Sequence, residues 1–183
     1  MSKIDNLSKY VSQAISHYWR TRQTQSQKQA KSGGADQGAR SAVTGSAQMD
    51  GFINLISELI VEAGASESNI FYNKHLELPG FFRPTKEWDL LMVKDNQLVL
   101  ALEAKSQVGP SFGNNFNNRT EEAMGSALDL WTAYREGAYN KTVKPWLCFL
   151  VGGLPAVSKA SESERTAFQG FPRICQRFIC KAI

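Results

Sequence analysis

Apolar residues Ile4, Leu7, Val11, Ala14, Ile15 and Trp19 recur at intervals of three and four, which predicts an amphipathic helix from about residue 3 into the low twenties. The pattern then fades into RTRQTQSQKQAKSGGADQGARSAVTGS, read as a polar arm. A second helical stripe, Met49, Phe52, Ile53, Ile56, Leu59 and Ile60, predicts a helix over 48–63, with Gly64 as its C′ residue. From Ile70 to Leu78 the alternation is that of a strand, ended by Pro79-Gly80. Two apolar runs, Leu90 to Val93 and Leu98 to Leu102, flank the turn-prone Lys94-Asp95-Asn96-Gln97 and predict a β-hairpin. After a loop rich in Gly and Asn, Asn118 and Glu121 are placed to cap a helix reaching Gly137, with Met124, Ala127, Leu128, Trp131 and Tyr134 as its core stripe. WLCFLV after Pro145 reads as a buried strand. The fold class is α/β: helix, three strands, helix, strand, behind an N-terminal helical arm.

The hairpin carries the candidate chemistry. Asp89 opens its first strand, and the period of two puts Val99, Ala101, Glu103 and Lys105 on one face of the second, with Leu98, Leu100 and Leu102 on the other. Asp89 and Glu103 then meet at one end of the ladder, with Lys105 beside them. Two converging carboxylates repel unless a cation lies between them, and hard oxygen donors suit Mg²⁺. A neighbouring lysine can orient an attacking water and stabilise charge on a phosphate. The implied reaction is phosphodiester hydrolysis. The plainer reading is an edge strand with ordinary surface charges. Glu58, on the second helix with Glu62, is a candidate for a further acidic group.

Charge adds a partner. Residues 1–40 hold seven Lys or Arg against two Asp, a balance of +5, whereas residues 41–183 hold fourteen against fifteen, a balance of −1. A basic, glutamine-rich arm suits a polyanion. Within 183 residues there is no apolar run near 18 and no signal peptide, so a soluble intracellular protein is expected. Cys148, Cys175 and Cys180 lack a metal-binding or disulfide spacing.

The order of elements, with Asp on the second strand and Glu-x-Lys on the third, is similar to the common core of PD-(D/E)xK nucleases, a central mixed sheet flanked by helices. In detail the chain resembles the XhoI family of type II restriction endonucleases, through GARSAVTGSAQMDGF at 38–52, RPTKEWDLLMV at 83–93, LALEAKSQVGPSFGNNFNNRTEEAMGSALDLW at 100–131 and PWLCFLVGG at 145–153. The resemblance implies a Mg²⁺-dependent homodimer that cuts double-stranded DNA at CTCGAG, in the cytoplasm of a prokaryotic cell. Asp89 and Glu103 would bind the metal and Lys105 would serve the water. Trp88 stands where the family motif has proline, a position with no chemistry of its own. Past Gly170, FPRICQRFICKAI departs from the family pattern and is expected as a shortened tail. Division is expected into an arm (1–47), a nuclease core (48–170) and this tail.

A palindrome asks for a twofold protein. Side chains able to read base edges are Arg40, Gln48, Asn114, Asn115, Asn117, Asn118 and Arg119. Arg20, Arg22, Lys74 and Lys86 are candidates for phosphate contact. Two other readings fit the same residues: a repair or junction nuclease of the same core, and a DNA-binding protein whose core does not cleave.

Overall fold

The computed structural model describes residues 2–31, 46–106, 112–139 and 144–152. Two compact units divide after Ser68.

In the first unit, helix α1 runs from Leu7 to Lys31 and helix α2 from Asp50 to Glu62, preceded by a 3₁₀ turn at Ser46–Met49. α1 continues well past the point where its apolar pattern fades. Gln, Arg, Lys and Ala are good helix formers, and no Gly or Pro interrupts them before Gly33. Hydroxyls that would compete with the backbone are accommodated: Ser12, Ser16 and Thr24 each donate to the carbonyl four residues back. Among the described side chains of α1 the buried ones are Ala14 and Tyr18, whereas Ile4 and Leu7, expected in the stripe, are exposed. The α1–α2 contact is close at Gly51, where a Cβ would lie 3.1 Å from the His17 side chain. At the end of α2, Gly64 adopts φ +102°. Its N–H donates to Val61 and that of Ala65 to Ile60, a Schellman closure that satisfies the last carbonyls.

The second unit is built on a four-stranded sheet of order β1-β4-β5-β6, where β1 is Ile70–Phe71, β4 Leu90–Lys94, β5 Gln97–Ser106 and β6 Trp146–Gly152. β2 (Glu77–Pro79) and β3 (Thr85–Glu87) form a separate antiparallel pair. The strand expected over 70–78 is thus two short pieces. His75 takes φ +61°, which an L-residue in a strand does not adopt, and the chain turns there into a second sheet. β5 and β6 are parallel, with helix α3 (Phe112–Arg135) lying between them in sequence, the long connection a parallel pair requires. β6 is an edge of the described sheet and only partly buried, with Trp146 55% exposed, so the continuous apolar run at 146–151 does not mark a fully buried strand.

α3 begins six residues before Asn118, so Asn118 stands inside the helix and caps nothing. Its far end matches expectation, with Gly137 at φ +88° and a second Schellman pair, Gly137 to Tyr134 and Ala138 to Ala133. The inward face of α3 is Ser126, Asp129, Leu130 and Ala133, while Met124 and Leu128, expected in the core, are exposed. The core gathers Trp88, Leu91, Leu98, Ala101 and Leu130, with Phe71, Leu76, Leu78 and Leu147 packed around them.

Candidate active site

The hairpin β4–β5 sets the geometry. Asp95 and Asn96 both take positive φ, 51° and 58°, the conformation of a two-residue turn whose twist matches the flanking strands. The register slips between Met92–Leu100 and Val93–Leu98, leaving Val99 as the extra residue of a bulge. That bulge corrects the expected faces. Leu98 joins Ala101 in the core, three positions away, and the strict period of two holds only beyond it. From there Leu90 pairs with Leu102, the last pair of the ladder, and Asp89 follows just outside it, beside the Leu102–Ala104 stretch that carries Glu103.

Backbone bonds lock this end of the ladder. The Asp89 N–H donates to Leu102 O at 3.0 Å, and the Ala104 N–H donates to Asp89 Oδ2 at 2.6 Å. Glu103 is 3% exposed. Lys86 Nζ lies 2.6 Å from its Oε2, and Lys105 Nζ bonds its Oε1. Burying one carboxylate this deeply is tolerable because two ammonium groups neutralise it. Asp89, Glu103 and Lys105 are brought together as the sequence led one to expect.

Lys86 is the addition. It was expected on DNA phosphates, but its side chain is only 12% exposed and sits in the cluster, 4.7 Å above the Trp88 ring. β3 delivers it: its register partner Leu78 packs on the core, so the same face of this pair points inward at both residues. A three-residue strand is too short for alternation to reveal that.

Burial pushes the Asp89 carboxyl above the usual carboxylate range. The Ala104 amide opposes this, Glu103 adds to it, and Lys105 and Lys86 oppose it further. Because the folded-state value is raised, ionised Asp89 costs stability once pH exceeds its ordinary value near 3.9. Asp89→Asn should therefore raise the melting temperature at pH 8 in EDTA. The gain should shrink as pH falls through the raised folded-state value and the wild-type carboxyl takes up its proton, as read by thermal melts from pH 8 downward.

Two opposed carboxylates and two lysines sum to zero charge. One divalent cation held by Asp89 and Glu103 would make the cluster +2 and attractive to phosphate. The donor set fits a hard cation that keeps most of its waters, since only two carboxylates converge. Among the described residues no group of three or more His, Cys, Asp or Glu is gathered for a metal. Glu58, expected as a further acidic group, is 2.9 Å from Lys3 within the first unit and half exposed.

The comparisons with known proteins decide the class. Residues 28–177 match the model of restriction endonuclease XhoI. The chain belongs to that family. It is 48% identical over 167 residues to the type II restriction enzyme AbrI of Azospirillum brasilense, covering 90% of this chain and 73% of that one. Against BstVI of Geobacillus stearothermophilus the identity is 45%, over 76% of this chain and 65% of the relative. Against XhoI of Xanthomonas vasicola it is 43%, over 74% and 54%. The chain thus spans between about half and three-quarters of the length of these relatives. No solved structure matches it significantly. Its class is that of the type II restriction enzymes, DNA hydrolases that act on duplex DNA, and XhoI-family membership implies a divalent metal cofactor.

The remaining candidates are scattered. Arg20 and Lys74 are exposed and Arg22 is partly buried. Asn117 and Asn118 are exposed on α3. Arg119 is held by Glu122 at 2.6 Å, and its Nε is buried with no partner among the described residues. Gln48, expected at a base edge, is 2% exposed in the 3₁₀ turn, which removes it from any surface that touches DNA in this conformation. Arg40 and the side chains of Asn114 and Asn115 lie outside the described residues. Among those residues no helix is long and apolar enough to cross a membrane.

Proposed function

We propose that this chain is a PD-(D/E)xK nuclease that hydrolyses duplex DNA at the palindrome CTCGAG as a Mg²⁺-dependent homodimer in the prokaryotic cytoplasm. The observation that carries the reading is the gathering of Asp89, Glu103 and Lys105 at one end of the β4–β5 ladder, with Asp89 bonded to the Ala104 amide and Lys105 to Glu103. Asp89 and Glu103 would hold the ion, which when bound supplies positive charge to the phosphate oxygens and acidifies water. Asp89 keeps its direction because the Ala104 amide holds Oδ2. Lys105, 34% exposed at the mouth of the cluster, orients the attacking water and offsets negative charge developing on phosphorus. Lys86 is the deeper ammonium and holds Glu103 in place.

Arg20, Arg22, Arg40 and Lys74 are assigned to phosphates, and Asn114, Asn115, Asn117, Asn118 and Arg119 to base edges. Arg119 must exchange Glu122 for a base to do so. Glu58 has a sufficient partner in Lys3 and is left out of the catalytic set.

Specificity is tested with plasmids that carry one CTCGAG or one single-letter variant of it, incubated with Mg²⁺, the ends being sequenced. One linear product from the first and none from the variants is the expected result. Cleavage of a variant site at a comparable rate contradicts the assigned palindrome. Light scattering on the eluted protein should give twice the chain mass, and a monomer that cleaves both strands contradicts the twofold reading.

A further inference from the structure

The β2–β3 pair ends in a tip, Gly80-Phe81-Phe82-Arg83-Pro84, whose two aromatic rings stand in solvent. Phe81 is 51% and Phe82 64% exposed, edge to face with ring centroids 5.0 Å apart. The backbone beneath them is fixed. Asp129 of α3, 3% exposed at its side chain, accepts the Phe81 N–H at 2.9 Å and the Phe82 N–H at 2.8 Å on Oδ1. Its Oδ2 pairs with Arg83 Nε at 3.1 Å. The Gly80 N–H closes the turn on Pro84 O at 3.3 Å, and the Tyr139 hydroxyl donates to Pro79 O. Position 80 admits no side chain, because a Cβ there would come within 2.6 Å of Asp129 Oδ2.

A core does not require this arrangement. Spending a buried carboxylate to hold two apolar rings away from the core makes sense when the rings meet a partner, since ordering is done before binding and is not charged against affinity. The position of the tip names that partner. From Phe82 to Lys86, which touches Glu103 in the catalytic cluster, is four residues, at most about 14 Å of chain. A duplex whose phosphodiester occupies the cluster therefore lies close to the tip, since that chain length is comparable with about four base-pair steps of 3.4 Å. Arg83, next to the rings in the chain and 44% exposed, supplies a cation beside them that suits the DNA backbone.

We propose that Phe81 and Phe82 form a preorganised wedge that enters a base step of the bound duplex and unstacks it, as apolar side chains do when they kink DNA. This rests on the nuclease reading given above. It adds to that reading a contact which no Arg, Lys or Asn of the site provides.

The experiment uses the full chain in EDTA and an end-labelled duplex containing CTCGAG, with 2-aminopurine substituted at successive steps within and beside the site. Wild type should bind and raise the probe's fluorescence at one step. The Phe81→Ala, Phe82→Ala double variant should bind about 10- to 100-fold more weakly, the range typical of lost base–aromatic stacking, and lose the fluorescence rise. Its melting temperature should stay within a degree or so, because the rings are exposed, and Phe82→Trp should restore the signal. Unchanged affinity with no fluorescence response at any step in wild type overturns the wedge while leaving the nuclease reading intact. A double variant that turns from dimer to monomer in light scattering without DNA overturns it in favour of a contact between copies. If wild type binds no duplex either in EDTA or with Ca²⁺ in place of Mg²⁺, the wedge falls, and the nuclease reading is judged separately by cleavage of the CTCGAG plasmid with Mg²⁺.

Discussion

Lys105→Ala is expected to lower single-turnover cleavage of a plasmid bearing one site by about 10²–10⁴-fold, the range lost when a positioned proton-transfer or charge-stabilising group is removed. The fold should survive the change. Glu103 keeps Lys86 at 2.6 Å on its other oxygen, so no buried carboxylate is left bare, and the melting temperature should move little. Affinity for the duplex in EDTA should change only severalfold, because one ammonium among many cationic contacts is lost. This combination, rate lost with binding and stability kept, separates a role in the chemical step from a structural one. Lys86→Ala should differ: it removes the more buried partner of Glu103 and its contact with Trp88, so stability should fall along with rate.

The largest stability effect is expected from Asp129→Ala. The carboxylate is 3% exposed and serves three groups, the amides of Phe81 and Phe82 and the guanidinium of Arg83. Alanine leaves two backbone donors without an acceptor and Arg83 without its partner, over a hole against Gly80. Each lost partner of this kind costs on the order of 1–3 kcal/mol when buried, and these are only partly buried. A loss of about 2–4 kcal/mol, roughly 5–15 °C in melting temperature, is the expected sum. Asp129→Asn retains an acceptor for the two amides and should cost less than half as much. A melt of both variants beside wild type checks the order. The nearby Tyr139 phenol, pushed up to about 12 by burial and by the Asp129 charge, stays protonated over any working pH and keeps donating to Pro79 O.

The hairpin and its site were legible because several local signals agree there. Two apolar runs, a turn-prone Asp-Asn pair and three charged residues at fixed offsets all point to one hairpin, and Asp89 does lie beside the Glu103 segment. The bulge at Val99 was not legible, since Leu98 and Leu100 look equivalent in an alternating pattern until one residue is left unpaired. Helix ends that rest on glycine, Gly64 and Gly137, were found for the same local reason. The far end of α1, the start of α3 and the faces of both were not. α1 persists to Lys31 on intrinsic propensity where apolar spacing has vanished, and α3 starts at Phe112 within a stretch whose Gly and Asn content reads as loop. The inward face of α3 was misjudged because Asp129 is buried only by virtue of partners 46–48 positions away, on a tip that no helical periodicity contains. Lys86 reaches Glu103 by the same kind of long-range placement. Resemblance to a family supplied the class, and only the fold shows which charges meet.

The most direct test of the central claim is incubation of the full chain with a plasmid carrying a single CTCGAG, with Mg²⁺ and with EDTA, beside Asp89→Ala. A single linear product that forms with Mg²⁺ alone, and that Asp89→Ala does not form, is the expected result. A plasmid cut equally by Asp89→Ala, or by wild type in EDTA, contradicts a metal held between Asp89 and Glu103 as the source of the activity.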